Sequence, residues 1–257
     1  MQQEVKMSSK AILRIGTSGI VVPGTIETRP EKFKGKSRLS YYTTFFNTLE
    51  VNSTFKKIPR TSTLERWSVE VPSDFQFTIK LWKEITHVKK LEISMENIDA
   101  FMRVMNCIGN KKGCLLIQFP ASITFEYRQH VEQILRRLHK LDKKREWRKA
   151  LEFRSLTWSN DNTFDLINKY NSALVLHDMP NSNNLKIEVP SSFAYFRFHG
   201  PKGDYRGSYS KEFLQEQANK INSLLAEKKD VYVYFNNTMG SAFQNAITLK
   251  EIVLRNE

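Results

Sequence analysis

The chain lacks the features that would place it outside a reducing compartment or in a membrane. Its two cysteines, Cys107 and Cys114, are too few for a disulfide framework and lack the short spacing of a metal or redox motif. The polar segment 1–10 lacks the apolar core of a signal peptide, and no apolar run is long enough to span a bilayer. We therefore expect a cytoplasmic protein that has no membrane partner.

Short motifs that identify common chemistries are also missing. The 10 glycines form neither a P-loop nor a dinucleotide-binding fingerprint. No nucleophile elbow supports a Ser-His-Asp triad, and no pair of candidate metal ligands has diagnostic spacing. The function therefore has to be argued from side chains that the fold brings together.

Positive charge is what the chain has in excess. Lys and Arg number 40 against 27 Asp and Glu, a formal net charge of +13, which suits a polyanionic partner but is also found in basic proteins that bind nothing anionic. The segment from Arg128 to Lys149 is a concentrated source of this charge, within a predicted helix and the turn that follows it. A solvated helix face is the simpler interpretation of this segment, and a nucleic-acid patch is the alternative.

Apolar segments with strand-like alternation recur along the whole chain. In 150–154, Leu151 and Phe153 lie on one face, whereas Ala150, Glu152 and Arg154 share the other. Other predicted strands are 12–16, 46–53, 75–81, 113–119, 173–178, 193–199 and 231–235. Several of them are apolar until their last inward positions, which become polar. This design is typical of strands whose ends surround a site.

Helical periodicity occupies most intervals between these strands. Helices are predicted at about 37–46, after a cap at Thr61, and at 94–108, 126–141, 164–170, 211–228 and 241–256. Segment 82–90, which holds Thr86 and His87, is predicted as a loop, and 179–190 is too rich in Asn, Ser and Pro for a helix. The alternation predicts an α/β fold, a TIM-like (β/α)-barrel of about eight parallel strands. We assign 11–257 to this single domain and 1–10 to an N-terminal extension.

Polar residues at the strand ends define the candidate site, because active sites of such barrels lie at the C-terminal ends of the strands. These residues are Glu50, Asn52, Lys80, Gln118, Glu152, Arg154, His177, Asp178, Arg197, His199, Asn236 and Asn237. Burying them without partners would cost about 1–3 kcal/mol each. A functional site is one interpretation. The alternative is an inert network in which Glu50 and Glu152 pair with the nearby cations.

Acid–base chemistry on an anionic substrate is the function that these residue types favour. Glu50 and Glu152 are the acid and base candidates, and Lys80 or His199 would move protons. The side chains predicted to bind substrate are Asn52, Gln118, Arg154, Asp178, Arg197, Asn236 and Asn237. Because Arg154, Arg197 and Lys80 would repel a cation, we predict no permanently bound metal; any other cofactor is unknown.

Two glycine-containing turns predict a phosphate site. The turn after the seventh strand holds Gly200, Lys202, Gly203 and Arg206, and the turn after the eighth holds Gly240 before a helix. Barrels commonly bind phosphate between these turns, because amide donors and the helix dipole favour negative charge. The alternative is that the glycines only make turns.

Short blocks in order along nearly the whole chain carry a family resemblance. The blocks are Ile15-Gly-Thr-Ser-Gly19, Phe46-Asn-Thr-Leu-Glu-Val-Asn-Ser-Thr-Phe55, Arg66-Trp67, Lys80 with Ile85-Thr-His-Val-Lys89, Leu116-Ile-Gln-Phe-Pro120, Glu152-Phe-Arg154 with Trp158, Arg197-Phe-His-Gly200, and Tyr232-Val-Tyr-Phe-Asn-Asn237 with Asn245-Ala246. The sequence thereby resembles domain-of-unknown-function family 72, also called YecE-like. The resemblance implies a TIM-like barrel with these blocks at its mouth, and it supplies no established reaction.

Three rim positions depart from the pattern of that family. Ile20 stands where Trp is usual, Lys56 where Tyr is usual, and Ser155 where His is usual. We therefore carry three hypotheses. The first is an enzyme, such as a hydrolase, lyase or isomerase, that acts on a phosphorylated or other anionic small molecule. The second is a nucleic-acid-binding protein or nuclease that uses the basic surface. The third is a non-catalytic barrel. The oligomeric state is left open.

Overall fold

The computed structural model describes residues 11–255 and contains eight strands in this range. They are β1 Leu13–Thr17, β2 Thr48–Val51, β3 Gln76–Lys80, β4 Lys112–Phe119, β5 Arg148–Phe153, β6 Ser172–His177, β7 Phe193–Phe198 and β8 Asp230–Phe235. All their pairings are parallel, in the order β1-β8-β7-β6-β5-β4-β3-β2. A parallel bridge between Ser18 and Glu50 links the two edges and nearly closes the ring. The predicted TIM-like barrel is confirmed. The predicted extension 1–10 lies outside the described residues.

Helices lie in the intervals between the strands. They are α1 Arg38–Tyr42, α2 Thr61–Glu70, α3 Lys83–Thr86, α4 Met95–Met105, α5 Arg128–Leu141, α6 Asp161–Lys169, α7 Lys211–Ala226 and α8 Ala242–Arg255. Between β6 and β7 the chain forms only a short 3-10 helix, Pro180–Ser182, as its composition predicted. None of the helices in the described range combines the length and apolar character that a membrane crossing needs.

Helix ends are where the predictions from the sequence were wrong. Segment 82–90 is not a loop throughout, because it contains α3. Helix α1 ends at Tyr42, before the predicted end at 46. Helix α6 begins earlier than predicted, because the side chain of Asn160 accepts a hydrogen bond from the Thr163 amide and caps it. Thr61 is the first residue of α2 rather than its cap.

Two apolar layers hold the barrel together. Outward-facing strand residues such as Leu151 and Phe196 pack against the helices in one large cluster. A smaller cluster fills the inside of the barrel and includes Leu116 and Tyr234. The Tyr234 hydroxyl lies 2.6 Å from Thr48 Oγ1 and 2.8 Å from Thr78 Oγ1, so its polar end is satisfied. The next inward positions toward the C-terminal strand ends are charged, and these form the candidate site.

Candidate active site

Arg197 is the centre of a charged layer at the barrel mouth. Its side chain is 1% exposed and its guanidinium bridges the two predicted acid–base residues. Nε and Nη2 donate to the two carboxylate oxygens of Glu50 at 2.9 and 2.8 Å, and Nη1 donates to Glu152 Oε2 at 2.7 Å. The planar fork of an arginine suits such bidentate pairing. The structure thus brings together side chains from β2, β5 and β7.

Glu50 is saturated with hydrogen-bond donors. Besides the two bonds from Arg197, Oε1 accepts from Ser18 Oγ and Oε2 from the Tyr195 hydroxyl, both at 2.6 Å. Burial opposes ionisation, but the Arg197 charge and these hydrogen bonds outweigh it and lower the pKa of Glu50. Four donors use the acceptor capacity of a carboxylate. Glu50 is therefore an ionised group whose geometry serves to hold Arg197.

Glu152 is less completely bonded than Glu50. Its Oε1 lies 2.5 Å from Arg154 Nη2 as an ion pair, but the two groups are not aligned for a hydrogen bond. Burial favours the neutral acid, yet the charges of Arg197 and Arg154 prevail and hold the pKa of Glu152 well below its usual range. Glu152 is therefore a buried carboxylate whose Oε1 has an ion-pair partner but no aligned hydrogen bond among the described residues.

His199 is neutral, and its neighbours define which nitrogen carries the proton. Nε2 lies 3.0 Å from Arg154 Nη2 and 3.3 Å from Arg197 Nη1, and because guanidinium groups only donate, Nε2 must accept. The proton is then on Nδ1, which donates to Asp178 Oδ1 at 3.1 Å. Burial lowers the pKa of His199 despite the bond to Asp178. Tyr209 donates to the other oxygen of Asp178 and completes this chain.

Lys80 ends β3 with its ammonium in the same layer. Its Nζ lies 4.2 Å from the centre of the Phe55 ring. Arg154 and Arg197 each form an ion pair, whereas Lys80 forms none within residues 11–255. Burial and the charge of Arg197 lower the pKa of Lys80 to about 8. Lys80 is therefore a cation that loses its proton more easily than an exposed lysine.

His87 belongs to the site, although the sequence pattern predicts a loop at this position. Its Nδ1 lies 2.8 Å from Thr86 Oγ1 and its Nε2 3.4 Å from Gln118 Nε2. The ring packs edge-on against Phe55 at 4.7 Å. Burial and the nearby charge of Lys80 lower the pKa of His87 to about 4, so the imidazole is neutral near pH 7. The block that resembles family 72 between Ile85 and Lys89 was the signal that could have singled it out.

His177 is held below the surface of the mouth. Its Nε2 lies 3.4 Å from the Phe153 carbonyl oxygen, and its Nδ1 accepts from the Met179 amide at 3.4 Å. Burial lowers the pKa of His177 to about 4. These contacts join the ends of β5 and β6. His177 therefore supports the site and does not open onto it.

A cavity of about 540 Å³ opens beside the charged layer. Gln118 and Arg154 line one side of it, and Lys202, Gly203 and Tyr205 from the turn after β7 line the other. The Arg154 side chain is 13% exposed, and its Nε has no hydrogen-bond partner among the described residues. Two cations from different loops thus converge on one space.

The glycines of the predicted phosphate site are packed against backbone. A Cβ on Gly200 would lie 2.3 Å from the Arg206 carbonyl oxygen, and a Cβ on Gly240 would lie 2.4 Å from that of Gly207. The amides of Gly203 and Gly240 already donate to protein carbonyls, at 2.8 and 2.9 Å. These glycines make close turns, and the amides of Gly203 and Gly240 are not free to bind a phosphate in this conformation. Of the predicted set, Lys202 and Gly203 line the cavity.

The predicted asparagines are spread over three surroundings. Asn237 Nδ2 donates to the Gly207 carbonyl and to Asn245 Oδ1, both at 3.0 Å, and ties the turn after β8 to α8. Asn52 lines a separate cavity of about 260 Å³, which also contains Ile20. Asn236 is buried, and its backbone amide donates to Phe198 at 2.7 Å. The structure does not gather them around one ligand position.

Besides His87, three contributors were not among the residues predicted from the sequence. Tyr195 had a detectable signal, because it alternates with Arg197 on the inward face of β7. Ser18 directly follows β1, as mouth residues do. Tyr209 comes well after the end of β7, and nothing in its sequence position indicates that it reaches Asp178. Within residues 11–255, no three His, Cys, Asp or Glu side chains are arranged to hold a metal ion.

Proteins with similar sequences carry the designation UPF0759. UPF0759 protein YunF of Bacillus subtilis (strain 168) is 25% identical over 249 residues, 82% of this chain and 84% of that protein. UPF0759 protein YecE of Escherichia coli (strain K12) is 27% identical over 88 residues, 34% of this chain and 32% of that protein.

Two crystal structures share the fold. A DUF72 family protein from Enterococcus faecalis V583 gives a TM-score of 0.77 at 21% identity, covering 95% of this chain and 96% of that one. A DUF72 family protein from Thermotoga maritima MSB8 gives 0.74 at 24% identity, covering 96% and 100%. The family model described as "Protein of unknown function DUF72" matches residues 14–257. The chain therefore belongs to the DUF72 family.

Proposed function

We propose that the protein is an enzyme that binds a small anionic substrate in the cavity of about 540 Å³ at the barrel mouth, here called the mouth cavity, and acts on it by acid–base chemistry. The observation that carries the proposal is unequal pairing within the charged layer. Glu50 and Arg197 have bonded partners on every side, whereas Glu152 Oε1 and Arg154 Nε have no aligned hydrogen bond among the described residues, and Lys80 has no ion pair there. Unpaired buried polar groups are costly, and active sites are where such groups are retained.

Anion binding falls to Arg154 and Lys202. Both line the cavity of about 540 Å³, and the fork of an arginine matches a carboxylate or phosphate. Arg197 was predicted as a second anion clamp, but its three nitrogens already donate to carboxylates. We assign Arg197 and Glu50 to positioning. The substrate anion would thereby sit at the edge of the charged layer.

Proton transfer falls to Lys80 and Glu152. A pKa of about 8 leaves both forms of Lys80 available near neutral pH, which suits a general acid or base. Glu152 stays ionised and can accept a hydrogen bond from a substrate hydroxyl. His199 holds its proton on Nδ1 toward Asp178, so it orients Arg154 through its Nε2.

Ligand-dependent melting tests this proposal. Phosphate, citrate, phosphosugars and short oligonucleotides would be screened for a rise in Tm, because a ligand that binds only the folded state stabilises it. We expect a phosphate- or carboxylate-bearing compound to raise Tm, and Arg154→Gln to abolish the rise. Lys144→Gln removes the same charge from the exposed turn before β5 and is the matched control.

The screen also separates the alternative functions. An equal Tm rise in both variants would remove the mouth as the anion site. Oligonucleotide binding that weakens steeply with salt and ignores Arg154→Gln would favour the nucleic-acid alternative. With no response to any ligand, the non-catalytic barrel becomes the better account.

A further inference from the structure

We propose that Lys80 is a nucleophile whose Nζ forms an imine with the carbonyl carbon of a small anionic aldehyde or ketone bound within the charged layer at the barrel mouth. This inference rests on the proposed function and narrows its substrate class to carbonyl compounds that carry a carboxylate or phosphate. Lysine amines are the side chains that react with carbonyls in this way.

The backbone of Lys80 is fixed while its head group is free. Thr54 Oγ1 donates to the Lys80 carbonyl oxygen at 2.7 Å, and the Leu81 amide donates to Leu116 at 2.9 Å. The side chain extends over Phe55 and ends 4.2 Å from the ring centre. No ion pair with the described residues holds the ammonium. A rigid strand end with an amine that contacts an aromatic ring but donates to no acceptor among the described residues is the arrangement that a nucleophilic lysine needs.

Lys111 provides a comparison, because hydrogen bonds occupy its ammonium group. Lys111 is 5% exposed, and its Nζ donates to the carbonyl oxygens of Pro72 at 2.6 Å and Ser73 at 2.9 Å. Those bonds stabilise the charged form and occupy the head group. Lys80 has no comparable acceptors among the described residues. Burial alone therefore does not distinguish Lys80; its place beside Arg197, Glu152 and Glu50 at the barrel mouth does.

Burial and neighbouring cations favour the uncharged form of the Lys80 amine. Burial and the Arg197 charge lower the pKa of Lys80 to about 8, with Arg154 acting in the same direction, and Glu50 and Glu152 only partly oppose them. At pH 7 about one molecule in ten then carries the free amine, against about one in three thousand for an ordinary lysine. Only the uncharged amine attacks a carbonyl.

The reaction balances with water as the sole by-product. The amine lone pair forms the C–N bond, the C=O π electrons move to oxygen, and a proton transferred from nitrogen to that oxygen gives a carbinolamine. Loss of the hydroxyl as water, with one proton taken up, leaves the protonated imine. Neutral His87, which shares Phe55 with Lys80, is placed to relay these protons. Arg154 would hold the anionic group.

Reductive trapping tests the inference on the unaltered protein. Pyruvate, glyoxylate or pyridoxal 5′-phosphate would be added with cyanoborohydride, which converts an imine into a stable secondary amine, and the modified lysines mapped by peptide mass spectrometry. We expect Lys80 to be modified at least about tenfold faster than exposed lysines such as Lys57, from the difference in free amine. Modification of Lys80 no faster than of Lys57 would overturn the proposal.

Variants then separate this inference from the proposed function. Lys80→Arg keeps the charge and should lose the adduct, whereas Lys57→Arg should keep it. If anions raise Tm but Lys80 is never trapped, the imine fails and the proposed function stands. If Lys80 is trapped equally in Arg154→Gln, the imine stands and Arg154 leaves the site. If no anion raises Tm and Lys80 is never trapped, the imine and the proposed function both fail. Because the mapping uses wild-type protein, misfolding of a variant cannot obscure the result.

Discussion

The two ends of the barrel both collect positive charge, but they use it differently. At the N-terminal end of the strands, Arg148 pairs with Asp230 and lies over the rings of Phe193 and Tyr232. Lys111, which precedes β4, donates to two backbone carbonyl oxygens. Arg148 and Lys111 are thus joined to acceptors of the same chain at this end of the barrel.

At the C-terminal end the charges form a layer with spare capacity. Arg197 is bonded on all sides, whereas Glu152 Oε1 and Arg154 Nε have no aligned hydrogen bond among the described residues, and a cavity lies beside Arg154. Total charge does not separate the two ends. The mouth differs because it joins two fully buried carboxylates, Glu50 and Glu152, to one arginine.

Removing Arg197 should produce the largest effect. Arg197→Met leaves Glu50 and Glu152 buried without their counter-charge, and we expect a loss of about 3–5 kcal/mol in the free energy of unfolding. Arg148→Met at the other end removes a partly exposed pair and a stacking contact, for about 1–2 kcal/mol. Urea denaturation would measure both. Equal losses of stability in Arg197→Met and Arg148→Met would contradict the expected difference between the two ends of the barrel.

The pH dependence of stability should come largely from the mouth. The folded pKa of His177, about 4, lies below its unfolded value of about 6.5, so the unfolded state binds more protons between them. Stability should therefore fall from pH 6.5 to 4, by about 3 kcal/mol from this residue. His177→Asn should reduce this slope in urea titrations, with the remainder coming largely from His87, whose pKa is also about 4, whereas His139→Gln at the other end should change it less.

The ionised carboxylates act in a lower pH window. The folded pKa values of Glu50 and Glu152 are lowered, so their contribution is complete above the unfolded value and disappears as pH falls through the folded one. A wild-type curve that stayed flat down to pH 4 would contradict the assignment for His177. Such a curve would not bear on the assignment of Glu50 and Glu152, whose contribution is lost at lower pH.

A matched pair of tyrosines gives a smaller and sharper comparison. Tyr195→Phe removes a 2.6 Å hydrogen bond to the ionised Glu50, for about 1.5–3 kcal/mol. Tyr232→Phe near the other end removes a 2.9 Å bond to the neutral Gln76, for about 0.5–1.5 kcal/mol. Thermal or urea unfolding would rank them. The reverse order would show that the charged layer is not the more strongly coupled network.

The smallest effect is expected on the outer surface. Lys169 pairs with Glu132 at 2.6 Å between α6 and α5, and the Lys169 side chain is 61% exposed. Such exposed pairs contribute little, because solvent screens them. Lys169→Gln should leave the urea midpoint unchanged within error. A clear drop would mean that the basic outer surface carries more of the stability than its exposure suggests.

Much of the mouth could be predicted from strand periodicity alone. Successive side chains of a strand face opposite ways, so Glu152 with Arg154, and Arg197 with His199, had to share the inward face. The same rule could have included Tyr195. Helix boundaries were predicted less well, because caps such as Asn160 act through single local hydrogen bonds that compete with other polar neighbours.

The sequence by itself determined the barrel and which residue types surround its mouth, because both follow from local alternation. Only the tertiary structure decided how those residues pair. Glu50 and Glu152 look alike in the sequence, yet Glu50 accepts four hydrogen bonds from the ends of β1 and β7, whereas Glu152 Oε1 has an ion-pair partner but no aligned hydrogen bond. Those partners are brought together by strand register and loop packing across the whole chain, which no local pattern encodes.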